Sequence, residues 1–390
     1  MSVGAGAAGG GSAQDAVGGV APGRGLSGVA AAGVFAAAVG GVAGGADAAG
    51  AAAKAVEWAP CSDRSRERGD PLAATASRGL QWFLVEVEGP WGANAFVASA
   101  LGRELGQAIV HRVEAAGMRP LAIRRVARAS HPAGSTAGAA ARRREPQTRW
   151  RWAFVDSRPG FEEVRWGEVG DPRELLEVAL DGSTGIRSPE PIFCVCTHAK
   201  HDKCCAVHGR PVALALDAEY PAQTWECSHL GGDRFAGTMV VFPEGLYFGR
   251  ADDAETTRIV RDYADGRVDE RFFRGRSSLS HPVQAAQHYA REHFGDDRLA
   301  SFTPLAETAV ADARPGTFAV TLAAPGSAAP SPAASHPRSD PLAASVPGSA
   351  AVVRVVVAET LSEPLLSTCA ATRFGRVREF ELVSLDLQPS

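Results

Sequence analysis

The sequence has little of the strongly apolar material that a membrane protein needs. Among its 390 residues, the candidate for a membrane segment is the uncharged stretch at 26–46, and this stretch consists mainly of glycine and alanine. A membrane-spanning helix needs about 20 consecutive, predominantly apolar residues, and this stretch is only marginally apolar. We therefore expect no association with a membrane.

The sequence also lacks an excess of charge of either sign. It has 44 acidic and 40 basic residues, which gives a formal net charge of −4 at pH 7. Proteins that bind nucleic acid through the phosphate backbone usually carry a clear positive excess, because that binding is largely electrostatic. The near balance of charge predicts that nucleic acid is not a partner.

Several short patterns that mark common enzyme classes are missing. The chain has no G-x-S-x-G, no H-E-x-x-H and no phosphate-binding P-loop, each of which places particular groups for catalysis. The acidic pairs Asp252-Asp253 and Asp296-Asp297 resemble turn or helix-cap residues more than a glycosidase pair. The sequence leaves open whether the protein is an enzyme, but it does not favour a hydrolase.

Cysteine is scarce and unevenly placed. The stretch 193–237 holds five of the 7 cysteines and four of the 10 histidines, namely Cys194, Cys196, Cys204, Cys205, Cys227, His198, His201, His208 and His229. Thiolate sulfur and imidazole nitrogen are the donors that zinc and iron–sulfur clusters accept. Such clustering is unlike the scattered cysteines of a disulfide-stapled secreted domain. The stretch predicts a metal or redox cofactor, and we expect the reducing cytoplasm as its location.

The chain divides by composition and by the order of its predicted elements. Residues 1–56 are a low-complexity tail of glycine and alanine, which we predict to be disordered. Residues 57–185 and 186–300 each predict a βαβ segment followed by ββα, the layout of a thioredoxin-like domain. The fold class predicted is therefore α/β, with two thioredoxin-like units in tandem. Residues 301–390 form a β-containing extension interrupted by a disordered insertion at 325–348.

Within the second unit, the predicted elements bring the soft ligands to one edge of a sheet. A strand at 191–196 ends at Cys196, and a strand at 224–229 ends at His229. We predict a helix over 211–220 that begins at its proline, which leaves Cys204 and Cys205 in the loop before it. Open α/β sheets present ligands at the carboxyl ends of their strands. We therefore expect these two loops to meet there.

Two blocks of sequence carry a resemblance to a known family. They read CTHAKHDKCCAVHGRP and WECSHLGGDRFAGTMVVFPEGLYFGR, and they are preceded by CSDRSRERGDPLAATA and QWFLVEVEGPWG. From about residue 58 to about 300 the chain resembles the sucrase/ferredoxin-like family, which includes thioredoxin-like ferredoxins. The resemblance implies an electron-transfer protein with a 2Fe-2S cluster and a redox partner protein such as a flavin reductase.

The resemblance also implies which residues hold the cluster. The family pattern has two cysteines nine residues apart and two histidines four residues apart; the cysteines carry over to Cys196 and Cys205, and the first histidine to His229. Where the pattern has its second histidine, this chain has Asp233. Carboxylate is a poor ligand for a cluster that prefers thiolate or imidazole. The fourth ligand is left open between Asp233, Cys227 and Cys204; donor softness favours Cys227 and motif position favours Asp233.

Two other functions use the same residues. A structural zinc site of the Cys₃His type would take Cys196, Cys205, Cys227 and His229. However, the usual C-x₂₋₄-C knuckle is missing. A thiol–disulfide redox protein would use a cysteine pair such as Cys204-Cys205, although C-x-x-C is missing too. We interpret Cys61 and Cys369, far away in sequence, as structural, and His201 and His208 as solvated loop residues.

Overall fold

The computed structural model describes residues 60–126, 147–324 and 351–388. The predicted disordered tail at 1–56 and the predicted insertion at 325–348 lie outside the described residues, as does the arginine- and alanine-rich segment at 128–146. None of the helices in the described ranges is long and apolar enough to cross a membrane.

The described residues contain five α-helices and two short 3₁₀ turns. The helices are α1 (Cys61–Arg68), α2 (Arg103–Ala115), α3 (Lys203–Glu219), α4 (Thr256–Ala264) and α5 (His281–Phe294). The 3₁₀ turns are Pro172–Leu176 and Asp233–Phe235. Asp171 caps the first of these turns, because its side chain accepts a hydrogen bond from the backbone N–H of Arg173.

Ten strands form one mixed sheet. They are β1 (Gln81–Glu86), β2 (Arg119–Arg124), β3 (Trp150–Asp156), β4 (Glu163–Val169), β5 (Ile186–Ser188), β6 (Ile192–Cys196), β7 (Thr224–Cys227), β8 (Met239–Phe242), β9 (Leu246–Phe248) and β10 (Phe273–Arg276). Their order across the sheet is β10-β9-β8-β6-β7-β2-β1-β3-β4-β5. The predicted α/β class is confirmed.

The two halves of this sheet repeat one pattern. In the first half the order is β2-β1-β3-β4, with β1 and β2 parallel and β3 antiparallel to β1. The second half has the order β7-β6-β8-β9 with the same relative directions. The halves join where β2 and β7 pair antiparallel, Ile123 opposite Cys227. They therefore share one continuous sheet.

Side chains on successive strand positions divide between the two faces of the sheet, as a period of two requires. In β1, Trp82 lies in a core that also contains Cys194 and Cys196 of β6, while Phe83 faces the core packed on α2. Phe193 of β6 belongs to the core packed on α3 and α4. The three helices α2, α3 and α4 thus cover one face, and the cysteines of β6 lie on the other.

Helix α3 begins earlier than the sequence predicted. Its first residue is Lys203, eight residues before Pro211, which lies inside the helix. Asp202 caps the helix, because its side chain accepts a hydrogen bond of 2.8 Å from the backbone N–H of Cys204. Proline fits a helical φ, and only one intrahelical hydrogen bond is lost at Pro211. Cys204 and Cys205 therefore lie on the first turn of a helix and not in a loop.

The C-terminal extension contains β strands, as predicted, and they form a second sheet. Four antiparallel strands follow the order β11 (Pro304–Ala309), β12 (Thr317–Ala323), β13 (Val352–Leu361) and β14 (Arg378–Gln388). Helix α5 packs against this sheet, with Val283 and Ala286 in one core with Val353 and Val355. The extension is thus fastened to the rest of the described chain through α5.

Candidate metal centre

Three of the predicted ligands meet at the carboxyl ends of two neighbouring strands in the middle of the ten-stranded sheet. Cys196 ends β6, Cys205 lies on the first turn of α3, and His229 follows β7. One donor atom of each lies within 4.8 Å of the donor atoms of the other two. The topology explains the meeting, because β6 and β7 are parallel neighbours whose carboxyl ends are adjacent.

Asp233 lies against this group. It begins the 3₁₀ turn that follows β7, and its Oδ1 atom is 3.0 Å from Nδ1 of His229. The same oxygen accepts a hydrogen bond of 3.1 Å from the Cys205 thiol. Only 5% of Asp233 is exposed. A buried carboxylate touching two of the three candidate ligands is well placed to act as a fourth donor.

His201 is a neighbour that the sequence reasoning missed. Its ring stacks on that of His229, with ring centroids 3.7 Å apart, and its Nε2 atom lies 4.0 Å from Oδ2 of Asp233. His201, His229 and Asp233 form a second group of possible donors that shares His229 with the first. The signal that was available is Asp202, a good N-cap residue: a helix that begins after it leaves only a short segment from β6 to α3, which keeps His201 near the ends of the strands.

Two other predicted candidates lie apart from this group. Cys227 is opposite Cys196 in the β6–β7 register, but the fully buried thiol of Cys227 lies beside that of Cys194. Burial, followed by that neighbouring thiol, raises the pKa of Cys227 well above its usual value. Cys204 is turned toward Cys61 and Cys369. The structure brings Asp233, and neither of these cysteines, to the three converging ligands.

The group favours a thiolate beside an imidazolium. The hydrogen bond from Cys205 and the nearby His229 lower the pKa of Cys196 well below its usual value, and the same bond raises the pKa of Cys205. Burial acts to lower the pKa of His229, but Asp233 and Cys196 outweigh burial and raise that pKa to about 9. Thiolate is the form of cysteine that binds metals.

Two buried imidazole nitrogens here lack a hydrogen-bond partner among the described residues. They are Nδ1 of His198 and Nδ1 of His229. The latter has only its ion-pair contact with Asp233, which is too poorly directed to be a hydrogen bond. Burying a polar atom without a hydrogen bond costs free energy. Metal binding displaces the protons of a thiol and of an imidazolium ring, and two buried thiols that converge with one imidazole form a mixed cysteine and histidine donor set that fits a metal.

Two contacts hold the loops of the site in place. A Cβ atom added at Gly209 of α3 would lie 2.1 Å from the backbone oxygen of Cys196, so α3 packs directly on the end of β6. Arg274, only 1% exposed, donates hydrogen bonds to the backbone oxygens of Gly231 and Thr75, at 3.0 Å and 2.7 Å. Gly231 lies between His229 and Asp233, so Arg274 fixes the loop that carries both.

Comparison with known proteins identifies the family of this chain. The model of the sucrase/ferredoxin-like family matches residues 72–275, which is more than half of the chain. The chain belongs to the sucrase/ferredoxin-like family. A search of curated proteins and a search of solved structures each gave no match. The family region contains Cys196, Cys205, His229 and Asp233, but Cys61 and Cys369 lie outside it.

Proposed function

We propose that this sucrase/ferredoxin-like protein carries a 2Fe-2S cluster at Cys196, Cys205 and His229 and transfers single electrons. The observation that carries the proposal is the meeting of these three donors at one sheet edge, within 4.8 Å of one another. When bound, a cluster of this kind supplies a one-electron carrier. The protein's part is to keep two sulfurs and one imidazole buried and oriented.

We propose Asp233 as the fourth donor. It is buried, and Oδ1 lies within 3.1 Å of the Cys205 sulfur and 3.0 Å from His229 Nδ1. Burial acts to raise the pKa of Asp233, but the interaction with the nearby His229 outweighs burial and lowers that pKa, which keeps the carboxylate ionised. His201 is the second candidate, because its ring stacks on His229, but its side chain is 39% exposed.

Electron transfer requires a partner at the surface. His201 is the exposed member of the site and lies directly on His229, so we propose that a redox protein such as a flavin reductase docks over His201. All seven cysteines are free thiols in the structure. Free thiols suit a reducing compartment, which supports the cytoplasm as the proposed location.

We also propose that the halves at 57–185 and 186–300 are thioredoxin-like units. The repeated strand orders β2-β1-β3-β4 and β7-β6-β8-β9, with matching directions, support this assignment. If the units are independent, residues 186–300 expressed alone should be soluble and contain iron. An insoluble fragment would instead show that the core shared across β2 and β7 is obligatory for folding.

A single zinc ion is the second candidate occupant. It is favoured by the closeness of Asp233 to both Cys205 and His229, at 3.1 Å and 3.0 Å, which puts an oxygen donor beside two of the three converging ligands. Zinc accepts cysteine, histidine and carboxylate ligands in a tetrahedral site. This occupant would make the site structural, with no electron transfer.

Purification without air distinguishes the two occupants. We expect a brown protein that absorbs through the visible range and contains about two irons and two acid-labile sulfides per chain, the composition of a 2Fe-2S cluster. Cys196→Ser and Cys205→Ser should each lose the iron, because both thiolates are ligands. Cys194→Ala, which removes a buried thiol of the same strand, is the control and should keep it. A colourless protein with zinc bound at Cys196 would refute the cluster.

Three single variants identify the fourth donor. Asp233→Ala should change the visible and electron paramagnetic resonance spectra, whereas Cys227→Ala should leave both intact, since Cys227 lies beside Cys194. His201→Ala should leave the iron content unchanged. Loss of the cluster in His201→Ala together with an unchanged spectrum in Asp233→Ala would transfer the assignment to His201.

A further inference from the structure

A second group of cysteines lies next to the first. Cys61 begins α1, Cys204 lies on the first turn of α3, and Cys369 lies between β13 and β14. The sulfur of Cys204 is 3.6 Å from that of Cys61 and 3.2 Å from that of Cys369, and the remaining sulfur pair is 3.6 Å apart. Residues separated by up to 308 positions in sequence thus place three sulfurs in a triangle.

Asp202 completes this group. Its Oδ1 and Oδ2 atoms lie 3.9 Å from the Cys61 sulfur. Oδ1 accepts the backbone N–H of Cys204 at 2.8 Å, and Oδ2 accepts that of Cys369 at 2.7 Å. Each carboxylate oxygen has a further lone pair, so Asp202 can orient two of the cysteines and still donate to a metal. The four donor atoms lie within 4.8 Å of one another.

We propose that Cys61, Cys204, Cys369 and Asp202 bind one zinc ion in a structural site that is separate from the redox site. Tetrahedral zinc with Zn–S bonds of about 2.3 Å places its sulfur ligands about 3.8 Å apart. The sulfur separations of 3.2 to 3.6 Å are close to that spacing. Three cysteines with one oxygen or nitrogen donor make a closed zinc set, because no position is left for water.

A disulfide accounts for this group less well. A disulfide joins two sulfurs at about 2.05 Å, so it would leave the third cysteine buried and unused. Here all three sulfurs touch one another, and Asp202 holds the backbone at two of them. A metal is the partner that uses all four groups at once.

The surroundings of Cys204 favour the thiolate that zinc requires. Ser62 Oγ lies 3.3 Å from the Cys204 sulfur and 2.9 Å from Nε2 of His208, an arrangement in which His208 donates to Ser62 and Ser62 to the sulfur. Hydrogen bonds to a ligand sulfur are typical of metal sites.

Metal analysis of the full-length protein tests the proposal. Wild type, purified anaerobically and dialysed against a weak chelator, should contain about one zinc per chain, counted separately from iron. Cys61→Ser and Cys369→Ser should each lose this zinc. Cys196→Ser should lose iron but keep zinc, and Cys194→Ala should keep both. Cobalt(II) added to the zinc-free protein should give the visible bands of tetrahedral thiolate coordination, and Cys369→Ser should not.

The outcomes separate this site from the proposed redox site. Zinc without iron in wild type would refute the cluster, and loss of that zinc in Cys61→Ser and Cys369→Ser but not in Cys196→Ser would support the zinc site. Zinc retained in Cys369→Ser would overturn the proposal. So would zinc that is lost in Cys196→Ser but retained in Cys61→Ser and Cys369→Ser. So would a thiol count showing a Cys204–Cys369 disulfide in protein kept reduced. Iron content and circular dichroism of Cys369→Ser, whose changed residue is partly exposed, show whether that variant is folded.

Discussion

The sulfur atoms of Cys204 and Cys369 lie 3.2 Å apart, although 165 residues separate them in sequence. Cys204 is on the first turn of α3, immediately before Cys205, and Cys369 belongs to the C-terminal extension beyond the family region. The contact therefore links the extension to the turn that presents a candidate cluster ligand. A metal at the second group would stabilise the frame of the first.

Removal of zinc should destabilise the wild type specifically. A ligand that binds only the folded state stabilises it by about 2.7 kcal/mol when its free concentration is 100 times its Kd. We expect a strong chelator to lower the urea midpoint of wild type and to leave that of Cys369→Ser, already without the metal, nearly unchanged. Equal responses of the two proteins to the chelator would show that the stabilising metal is not bound at Cys369.

Gly209 should be intolerant of even one added methyl group. A Cβ there would lie 2.1 Å from the backbone oxygen of Cys196, so Gly209→Ala must move α3 away from β6. Overpacking of this kind typically costs about 1–3 kcal/mol. It should also separate Cys205 from Cys196 and reduce the iron content.

The matched control for this substitution is Gly170→Ala. No atom lies within 4 Å of a Cβ placed at Gly170, so this variant should keep both its stability and its iron. The measurements are urea denaturation and iron per chain. If Gly209→Ala binds iron as well as Gly170→Ala does, the close packing of α3 on β6 does not position the site.

Periodicity and composition predicted the strands better than the helix starts. The β-forming residues at 150–156 and 163–169 predict two strands, and these match β3 and β4 residue for residue. Two helix starts are predicted wrongly. The helical spacing of apolar residues predicts a helix over 94–116, but the helix begins only at Arg103, after Gly102 with φ of +76°. Helix α3 begins at its Asp202 cap, well before Pro211.

The redox site could be predicted further than the second cysteine group. Cys196, Cys205 and His229 belong to one local motif, and their meeting follows from two parallel neighbouring strands. Cys61 and Cys369 have no local signal, since their contacts with Cys204 depend on the tertiary packing of α1 and of the C-terminal segment. Donor softness favoured Cys227 as the fourth ligand. Softness, however, says nothing about where the fold places a thiol, and that of Cys227 lies beside Cys194.

Arg274 should be essential to the loop between His229 and Asp233. Its buried guanidinium donates to the backbone oxygens of Gly231 and Thr75 and to the Thr75 hydroxyl. In Arg274→Met these half-buried acceptors lose their donor, and an acceptor left without one inside the protein costs about 1–3 kcal/mol. We expect a loss of about 3 kcal/mol or more in the free energy of unfolding, together with lower iron content.

The control for Arg274 is Arg271→Met on the preceding segment. The side chain of Arg271 is 63% exposed and pairs with Asp269 at 3.0 Å, and exposed ion pairs contribute only about 0–1 kcal/mol. Urea denaturation of both variants gives the comparison. Similar small losses in the two variants would mean that the buried hydrogen bonds of Arg274 do not hold the loop.

Two histidines of α5 should make the stability depend on pH in opposite directions. Burial, followed by the charges of Arg378 and Arg78, lowers the pKa of His281 to about 4, and its Nδ1 lies 2.9 Å from Nη1 of Arg378. For His288, burial acts to lower the pKa, but the Glu270 carboxylate, 2.7 Å away, outweighs burial and raises it.

The direction of each effect follows from proton linkage. As the pH falls from about 6.5, the usual pKa of histidine, toward 4, the unfolded chain takes up a proton at His281 that the folded chain does not, so stability falls. The protonated His288 stabilises the fold fully below about 6.5, and its contribution disappears as the pH rises through its raised pKa. The two histidines together favour maximum stability near pH 6.5.

Urea denaturation of wild type, His281→Gln and His288→Gln between pH 4 and pH 9 isolates each contribution as a difference. His281→Gln should gain stability relative to wild type as the pH falls below about 6.5, because it has no proton to take up on unfolding. His288→Gln should be less stable than wild type at low pH and approach it as the pH rises. Differences that stay constant with pH for both variants would show that neither imidazole has the surroundings described, since burial with Arg378 lowers the pKa of His281 and Glu270 raises that of His288.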